Sequence, residues 1–271
     1  PVIAPLPAPS ESAIFVPGRP ASFAFAGELT QGGWIKGTVP AGTRSLSLGG
    51  KPIKFSPDGN FFAAFDRDAG PVANLVAVSH RGETITRPLT ITPRAWALER
   101  VNVARRAAGP SEAFLALRRP ELARIAAARA VQNDVMGWRQ DFIFPVKARI
   151  SGRFGSQRIY RGEPGAYHSG LDLAGKAGTA FVAPADGVVI LAADQPFSLE
   201  GKLLMIDHGM GLNSAFLHNS AILVREGQHV KQGQVIGRIG ATGRATGPHL
   251  HWSIKWNDAR LDPLLFTGPM R

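Results

Sequence analysis

Residues 242–252 read Thr-Gly-Arg-Ala-Thr-Gly-Pro-His-Leu-His-Trp, a turn rich in glycine followed by an alternating segment. Alternation is typical of a β-strand, in which residues i and i+2 project from the same face. We therefore expect His249 and His251 to lie side by side, with Leu250 and Trp252 on the opposite face. Two imidazoles on one face can bind one metal ion, or one can bind it while the other transfers protons. A pair of half-buried structural histidines is the competing interpretation of so short a motif.

Two further motifs lie in the same C-terminal region, which holds six of the 7 histidines. They are His168-Ser169-Gly170-Leu171-Asp172 and Phe216-Leu217-His218. Imidazole and carboxylate are zinc ligands, and a catalytic zinc site commonly has three protein ligands and one water. His168 and Asp172, with one histidine of the His-Leu-His pair, would supply those three. The chain has no Cys, which excludes a thiol nucleophile, a Cys-ligated metal site and a disulfide framework.

Short strand-like runs punctuated by glycines surround these motifs and predict a β-rich domain over residues 141–271. The segments that we interpret as strands are 182–193, 203–206, 235–239 and 250–254. Upstream, composition divides the chain into three segments: a Pro-rich linker over 1–13, an N-terminal β-sandwich over 14–93 and a basic helical connector over 94–140. The predicted fold class is therefore mainly β, with a short helical connector between two β domains.

The predicted connector contains specific helix signals. Ser111 can cap a helix that begins at Glu112, and Pro120 fits the first turn of a second helix. Apolar residues then recur at helical spacing from Glu121 to Met136. The segment is rich in arginine, which is typical of a solvated helix face and also of an arm that lies along an anionic polymer.

Charge and hydropathy narrow the possible partners. The formal net charge is +11, which favours an anionic partner such as a nucleic acid, a membrane surface or a cell-wall polymer. The basic segment lacks the interleaved aromatic residues of single-strand nucleic-acid platforms, so we predict no nucleic-acid partner. No apolar run reaches the ~18–20 residues of a transmembrane helix. The Pro- and Ala-rich N-terminus favours a tether that remains after signal-peptide cleavage.

Taken together, the motifs resemble the lysostaphin-type (LytM-like) zinc metallopeptidases, a family of peptidoglycan endopeptidases. The resemblance extends over residues 144–266 and includes the segments 177–189 and 230–237. It implies that His168, Asp172 and His251 bind zinc.

The resemblance also implies that His249 and His218 stay off the metal and transfer protons, in an order that remains open. One position departs from the family, since Phe216 stands where a tyrosine is usual. Some members use a loop tyrosine to stabilise the oxyanion. Tyr160 and Tyr167 could do so here, or could pack in the wall of the groove.

The implied function is that of a zinc-dependent metalloprotease, a hydrolase that cuts peptide cross-links of peptidoglycan through a metal-activated water. The alternative is a non-catalytic or autoinhibited cell-wall-binding regulator of other wall hydrolases. The implied partners are peptidoglycan peptides and protein regulators, and the cofactor is Zn²⁺. The expected location is the periplasm or cell envelope, in a mature form after signal cleavage.

Overall fold

The computed structural model describes residues 20–104, 111–268 and 270. Strands account for 45% and helices for 11% of it, which confirms the mainly β fold class. The predicted linker over residues 1–13 lies outside the described residues. None of the described helices is both long and apolar enough to cross a membrane.

The N-terminal part is built from two antiparallel sheets. Its strands are β1 (Ala24–Gly27), β2 (Trp34–Thr38), β3 (Thr43–Leu48), β4 (Lys51–Ile53), β5 (Asn60–Ala64), β6 (Val72–Ser79) and β7 (Thr84–Thr90). One sheet has the order β1-β2-β5 and the other β4-β3-β6-β7. Ile35, Phe61 and Leu75 are fully buried in the core. Because the buried side chains come from both sheets, the arrangement is the predicted sandwich.

The middle of the chain contains strand β8 (Leu98–Val101), helix α1 (Glu112–Ala130) and a 3₁₀ turn (Gly137–Arg139). As predicted, the Ser111 side chain caps α1 by accepting a hydrogen bond from the Phe114 amide, at 3.2 Å. The prediction of a second helix from Pro120 was wrong, because α1 continues through Pro120 as one helix. A proline inside a helix removes one backbone hydrogen bond. Side-chain contacts of the adjacent turn compensate, since Glu121 accepts hydrogen bonds from the amide and hydroxyl of Ser198.

The remaining elements form the C-terminal part. They are β9 (Arg149–Gly152), β10 (Gln157–Tyr160), β11 (Glu163–Tyr167), β12 (Leu171–Ala174), β13 (Ala180–Val182), β14 (Gly187–Phe197), β15 (Gly201–Asp207), β16 (Leu212–Asn219), β17 (Ala221–Ile222), β18 (His229–Val230), β19 (Val235–Arg238), β20 (His249–Trp256), β21 (Ala259–Leu261) and α2 (Leu264–Thr267). An eight-stranded sheet dominates, in the order β18-β14-β15-β16-β20-β12-β9 with β21 paired to β20. The strand expected over 182–193 is instead split between β13 and β14, which belong to different sheets. Pro184 explains the break, because proline cannot donate to a sheet ladder.

One core runs through both parts of the protein. The Trp34 ring of the sandwich lies 5.3 Å from the ring of Phe266, and its indole N–H donates to the Leu265 carbonyl at 3.0 Å. Phe62 packs edge-on against Trp256 at 6.0 Å. The aromatic contact therefore joins the two β parts, while the segment boundaries at 93 and 140 stay predictions.

A second connection between the parts involves β8, a strand that the sequence analysis did not predict. It pairs in parallel with β10. Beside it, the buried guanidinium of Arg67 in the sandwich donates to the Gly155 carbonyl at 3.1 Å. The Gly155 amide in turn donates to the His168 carbonyl at 2.8 Å. Two successive hydrogen bonds thus link the sandwich to the loop that carries His168.

Helix α1 packs on one face of the large sheet. Ala128 and Ile125 of the helix contact an apolar cluster that includes Leu203, Met205 and Leu217. Leu217 of β16 pairs directly with His251 of β20, and directly opposed residues share a face. The helix therefore covers the same face of the sheet that presents His251.

His208 is a buried residue in the turn after β15, and both of its ring nitrogens form hydrogen bonds to neighbouring segments. Its Nδ1 donates to the Asp186 carbonyl at 2.8 Å, and its Nε2 accepts from the Ser214 hydroxyl at 2.8 Å. The Trp252 indole donates to the same hydroxyl at 3.3 Å. Burial lowers the pKa of His208 from 6.5 to about 4, although the nearby acids Asp186 and Asp207 act in the opposite direction.

A pH-dependent stability follows from His208. The unfolded chain takes up a proton at this histidine below pH 6.5, whereas the native protein does so only near pH 4. The stability that neutral His208 contributes above pH 6.5 is therefore lost as the pH falls towards 4, amounting to about 2 kcal/mol between pH 7 and 5. Urea unfolding at both pH values should show this loss in the wild type and a smaller one in His208→Gln. His229→Gln, a change at an exposed strand position, should keep the wild-type slope, and equal slopes in all three proteins would contradict the assignment.

Candidate metal centre

Three neighbouring strands position the candidate site. Asp172 of β12 pairs with His251 of β20, and Ala174 pairs with His249. His168 lies in the loop that leads into β12. His218 lies near the end of β16, on the other side of β20. The three sequence motifs thus meet at one end of three adjacent strands.

The alternation predicted for the His-Leu-His-Trp segment is present in β20. Leu250 and Trp252 are fully buried in the core under the sheet. His249 and His251 project from the opposite face, where the His249 Nε2 lies 3.7 Å from an Asp172 carboxylate oxygen. The apolar side of the strand therefore fixes the direction in which both imidazoles point.

Three potential ligand atoms converge on one point. The Nε2 of His168 lies 3.0 Å from Oδ1 of Asp172 and 3.1 Å from Nδ1 of His251. The same carboxylate oxygen lies 2.8 Å from Nδ1 of His251. Among the described residues, these three form a group whose ligand atoms all lie within 4.8 Å of one another.

Hydrogen bonds and charge tie the members of the cluster together. The Nδ1 of His168 donates to the Arg153 carbonyl at 3.0 Å, so Nε2 is the ring nitrogen that faces the Asp172 carboxylate. Burial opposes the charged form of His168, but the hydrogen bond and charge of Asp172 outweigh it and raise the pKa of this imidazole. Burial opposes the charge on Asp172, but hydrogen bonds from His168 and His251 outweigh it and hold the pKa of this carboxyl well below its usual range. Burial lowers the pKa of His251, which favours a neutral imidazole. Two imidazole nitrogens and one carboxylate oxygen form a donor set that fits zinc.

Two glycines leave the room that this cluster needs. A Cβ at Gly170 would lie 2.6 Å from both Nε2 of His251 and the Trp252 carbonyl oxygen, and a Cβ at Gly152 would overlap a carboxylate oxygen of Asp172. These separations are too short for real contacts, so any side chain there would displace a candidate ligand. Neither glycine has a left-handed backbone, and the requirement is one of space alone.

His218 and His249 flank the cluster as a pair of bases. The Nδ1 of His218 donates to the Thr242 carbonyl, and the Nδ1 of His249 donates to the Gly247 carbonyl, both at 2.9 Å. Because a carbonyl oxygen only accepts, Nε2 of each neutral ring keeps its lone pair. The two rings lie 4.9 Å apart. Burial lowers the pKa of His218, so this imidazole is neutral and able to accept a proton near pH 7.

Comparison with known proteins assigns this arrangement to a family. The sequence model of peptidase family M23 matches residues 166–263, the segment that carries both histidine motifs around β12 and β20. A crystal structure from Pseudomonas aeruginosa assigned to peptidase M23 is 30% identical, with a TM-score of 0.68, and the match covers 89% of this chain and 96% of that chain. The chain belongs to peptidase family M23.

Other relatives of this M23 chain are similar over its C-terminal part. Peptidoglycan DD-endopeptidase ShyA of Vibrio cholerae is 41% identical over 114 residues, which cover 41% of this chain and 26% of ShyA. Murein hydrolase activator NlpD of Salmonella typhimurium is 33% identical over 141 residues, which cover 52% of this chain and 34% of NlpD. The chain thus matches about a quarter to a third of the length of these relatives.

The backbone of this M23 domain is unusual at His218. Its φ is 65°, in the left-handed region that residues with a Cβ rarely adopt. Hydrogen bonds on both sides hold this conformation, because the His218 amide donates to the Glu200 carbonyl at 2.8 Å and the Thr242 amide donates to the His218 carbonyl at 3.4 Å. Such strain is often found at functional sites, and no sequence pattern around His218 indicates it.

The structure also places the aromatic residues that the sequence singled out. Phe216, the departure from the usual tyrosine, is buried and stacks on Phe181 at 5.3 Å. Tyr167 packs beside Phe154 and under the Arg67 guanidinium, 4.6 Å from its ring centroid. Tyr160 lies at the end of β10. Among the described residues, no hydrogen bond or ring contact joins either phenol side chain to the three-residue cluster, and a role at the oxyanion stays a prediction.

The space at Gly170 can be tested directly. Gly170→Ala should weaken zinc binding by about 10- to 100-fold without removing a ligand, because the new methyl group would displace the His251 ring and the Trp252 carbonyl of the same strand. The measurement is competition with a chromophoric chelator, alongside circular dichroism to verify folding. Gly247→Ala is the matched control, since open space surrounds Gly247. Unchanged zinc affinity in Gly170→Ala would show that the position of His251 is not set by this glycine.

Proposed function

We propose that this protein is a zinc-dependent endopeptidase that hydrolyses peptide cross-links of bacterial peptidoglycan. The observation that carries the proposal is the convergence of ligand atoms of His168, Asp172 and His251 within about 3 Å of one another, flanked by the imidazoles of His218 and His249. A purely structural histidine cluster has no need of two additional bases with identical tautomers. Membership of a peptidase family supports the same conclusion.

The proposed metal ligands are Nε2 of His168, Oδ1 of Asp172 and Nδ1 of His251. Zinc held there would supply a Lewis acid for the scissile carbonyl and a water of lowered pKa. The protein supplies the orientation of the ligands. The Arg153 carbonyl fixes the tautomer of His168, and the strand register holds Asp172 opposite His251.

His218 and His249 would move the protons of the reaction. In its neutral form each has a lone pair on Nε2, because Nδ1 donates to a carbonyl, so either could take a proton from the attacking water. The resulting imidazolium can donate that proton to the leaving amine. An imidazole whose Nδ1–H is held by a carbonyl can donate from Nε2 only when it is charged, so oxyanion stabilisation by the second histidine requires its protonation. The order of the two roles stays open.

The proposed substrate and location rest on the relatives. ShyA is named a peptidoglycan DD-endopeptidase, and the positive net charge of +11 suits an anionic wall polymer. We accordingly propose that the protein acts in the periplasm or cell envelope, where peptidoglycan lies. We propose residues 141–271 as the part that carries the chemistry, with the N-terminal sandwich as its support.

The similarity to NlpD favours a second candidate, a regulator that binds the wall and activates other hydrolases. Against it, this chain has all three candidate ligands and both candidate bases, and the structure brings them together. A regulator without catalysis does not need the complete ligand set with two flanking bases. We therefore prefer the enzyme.

Digestion of purified Gram-negative sacculi tests the proposal. The full-length protein, incubated with zinc, should reduce the fraction of cross-linked dimers, and a chelator should prevent this. Mass spectrometry of the fragments would also identify the bond that is cut. Undigested sacculi in the presence of zinc-loaded protein would contradict the endopeptidase and favour the regulator.

Two histidine variants separate binding from proton transfer. His249→Ala should lower kcat/KM on cross-linked peptides by about 10²- to 10⁴-fold while zinc remains bound, because His249 is a proposed base and not a ligand. His251→Ala should lose both activity and zinc. Zinc content by atomic absorption and peptide turnover are the two measurements, with His229→Ala as the control. Loss of zinc in His249→Ala would refute the division of roles.

A further inference from the structure

A second feature of the site lies between helix α1 and the sheet. A pocket of about 220 Å³ opens there, with His251 and Ser169 on one side and α1 on the other. Its volume is below the range of pockets that hold whole drug-sized ligands. It is suited to one side chain of a larger ligand whose remainder lies outside.

Cations from three elements line this pocket. They are Arg129 of α1, Lys255 of β20 and Arg260 of β21. The pocket also contains Glu200 and Arg118, which neutralise each other. The guanidinium of Arg118 donates hydrogen bonds to both carboxylate oxygens of Glu200, at 2.5 and 2.6 Å. The pocket therefore carries an excess of positive charge from three side chains.

These cations have few partners of their own. The buried Nε of Arg129 has no hydrogen-bond partner, and Arg129 forms none of the ion pairs found among the described residues. Arg260 likewise forms no ion pair in the described part of the chain. Its guanidinium hydrogen-bonds Tyr167 and lies 5.6 Å from that ring, and its backbone amide donates to the Asp66 carboxylate at 2.8 Å. Among the described residues, Lys255 forms one ion pair, with Asp258 at 4.0 Å, and that carboxylate is 97% exposed.

The positive charges of Arg129, Lys255 and Arg260 also repel one another. Burial, followed by the charge of Arg260, lowers the pKa of Arg129, although the charge of Glu200 acts in the opposite direction. Burial, followed by the charge of Arg129, lowers the pKa of Lys255. Gathering partly buried like charges destabilises a protein unless an anion joins them. Glu200 is the one acid among the described residues that line the pocket, and Arg118 already binds both of its oxygens. A ligand is therefore the natural source of an anion for the other three cations.

We propose that the pocket between α1 and strands β20 and β21 is a subsite for a carboxylate of the peptide substrate. Arginine suits this role because its planar guanidinium binds carboxylates in a bidentate manner. Since His251 belongs to both the pocket and the ligand cluster, a peptide anchored there would extend across the proposed catalytic centre. The subsite rests on the proposed function and gives it a specificity, namely for stem peptides with free rather than amidated carboxyl groups.

Binding and turnover of two matched peptides test the subsite. The probes are a fluorescent cross-linked muropeptide dimer with free carboxylates and the same dimer with those carboxylates amidated. Affinity is measured by fluorescence anisotropy on the full-length protein with a chelator present, so that neither peptide is cut. The free-carboxylate dimer should bind at least about tenfold more tightly, as expected for a charge-assisted hydrogen bond.

The arginine is then removed with a matched control. Arg129→Gln should bring the two affinities to within about twofold, by weakening only the free-carboxylate dimer. Arg119→Gln removes an equal charge from the exposed side of the same helix and should retain the wild-type preference. Lys255→Gln probes the pocket from the sheet, and should reduce the preference even if the Arg129 variant does not fold.

The outcomes distinguish the subsite from the proposed function. Equal binding of both dimers by the wild type, no binding of either, or equal losses in Arg119→Gln and Arg129→Gln would overturn the subsite. Selective binding without cleavage in the presence of zinc would support the subsite and refute the endopeptidase. Cleavage of both dimers at equal kcat/KM, with equal binding, would refute the subsite and leave the endopeptidase intact.

Discussion

The pairing of β12 with β20 is the constraint on which the site depends. It sets Asp172 opposite His251, and it is held in register from beneath by Leu250 and Trp252, both fully buried. A slip of one residue would turn the indole towards solvent and both imidazoles towards the core. Exposing a buried tryptophan costs several kcal/mol by the area it buries. This cost disfavours the slipped register and so keeps both imidazoles on the polar face. In this protein, packing of the apolar face determines the chemistry of the polar face.

Much of this arrangement could be predicted from local pattern. Alternation in the His-Leu-His-Trp segment predicted which side chains share a face, and the turn signals upstream predicted a sandwich. Both were confirmed, because periodicity of two and turn composition act over a few residues and need no knowledge of the rest of the chain. The convergence of His168 with His251 needed family resemblance as well, since no spacing rule connects a loop with a strand so far away in sequence.

The features that were missed depend on tertiary contacts. Pro120 predicted a helix boundary, but contacts of Glu121 and Arg118 with the β14–β15 turn hold one continuous helix. The parallel pairing of β8 with β10 joins segments that are remote in sequence, and no local sequence pattern predicts it. The left-handed backbone of His218 is imposed by its neighbours, Glu200 and Thr242. Likewise, helical periodicity in α1 indicated an apolar side but not which face of which sheet it would cover.

The chain from Arg67 through Gly155 to His168 has a mechanical consequence. A buried guanidinium of the sandwich supports the very loop that carries a proposed ligand, so the stiffness of that loop is a property of both β parts together. The sandwich therefore supports the loop that carries His168. Exchange of the sandwich for another N-terminal domain would remove the hydrogen bond from Arg67 to Gly155. A different contact would then have to support the loop of His168, even where the metal centre itself is unchanged.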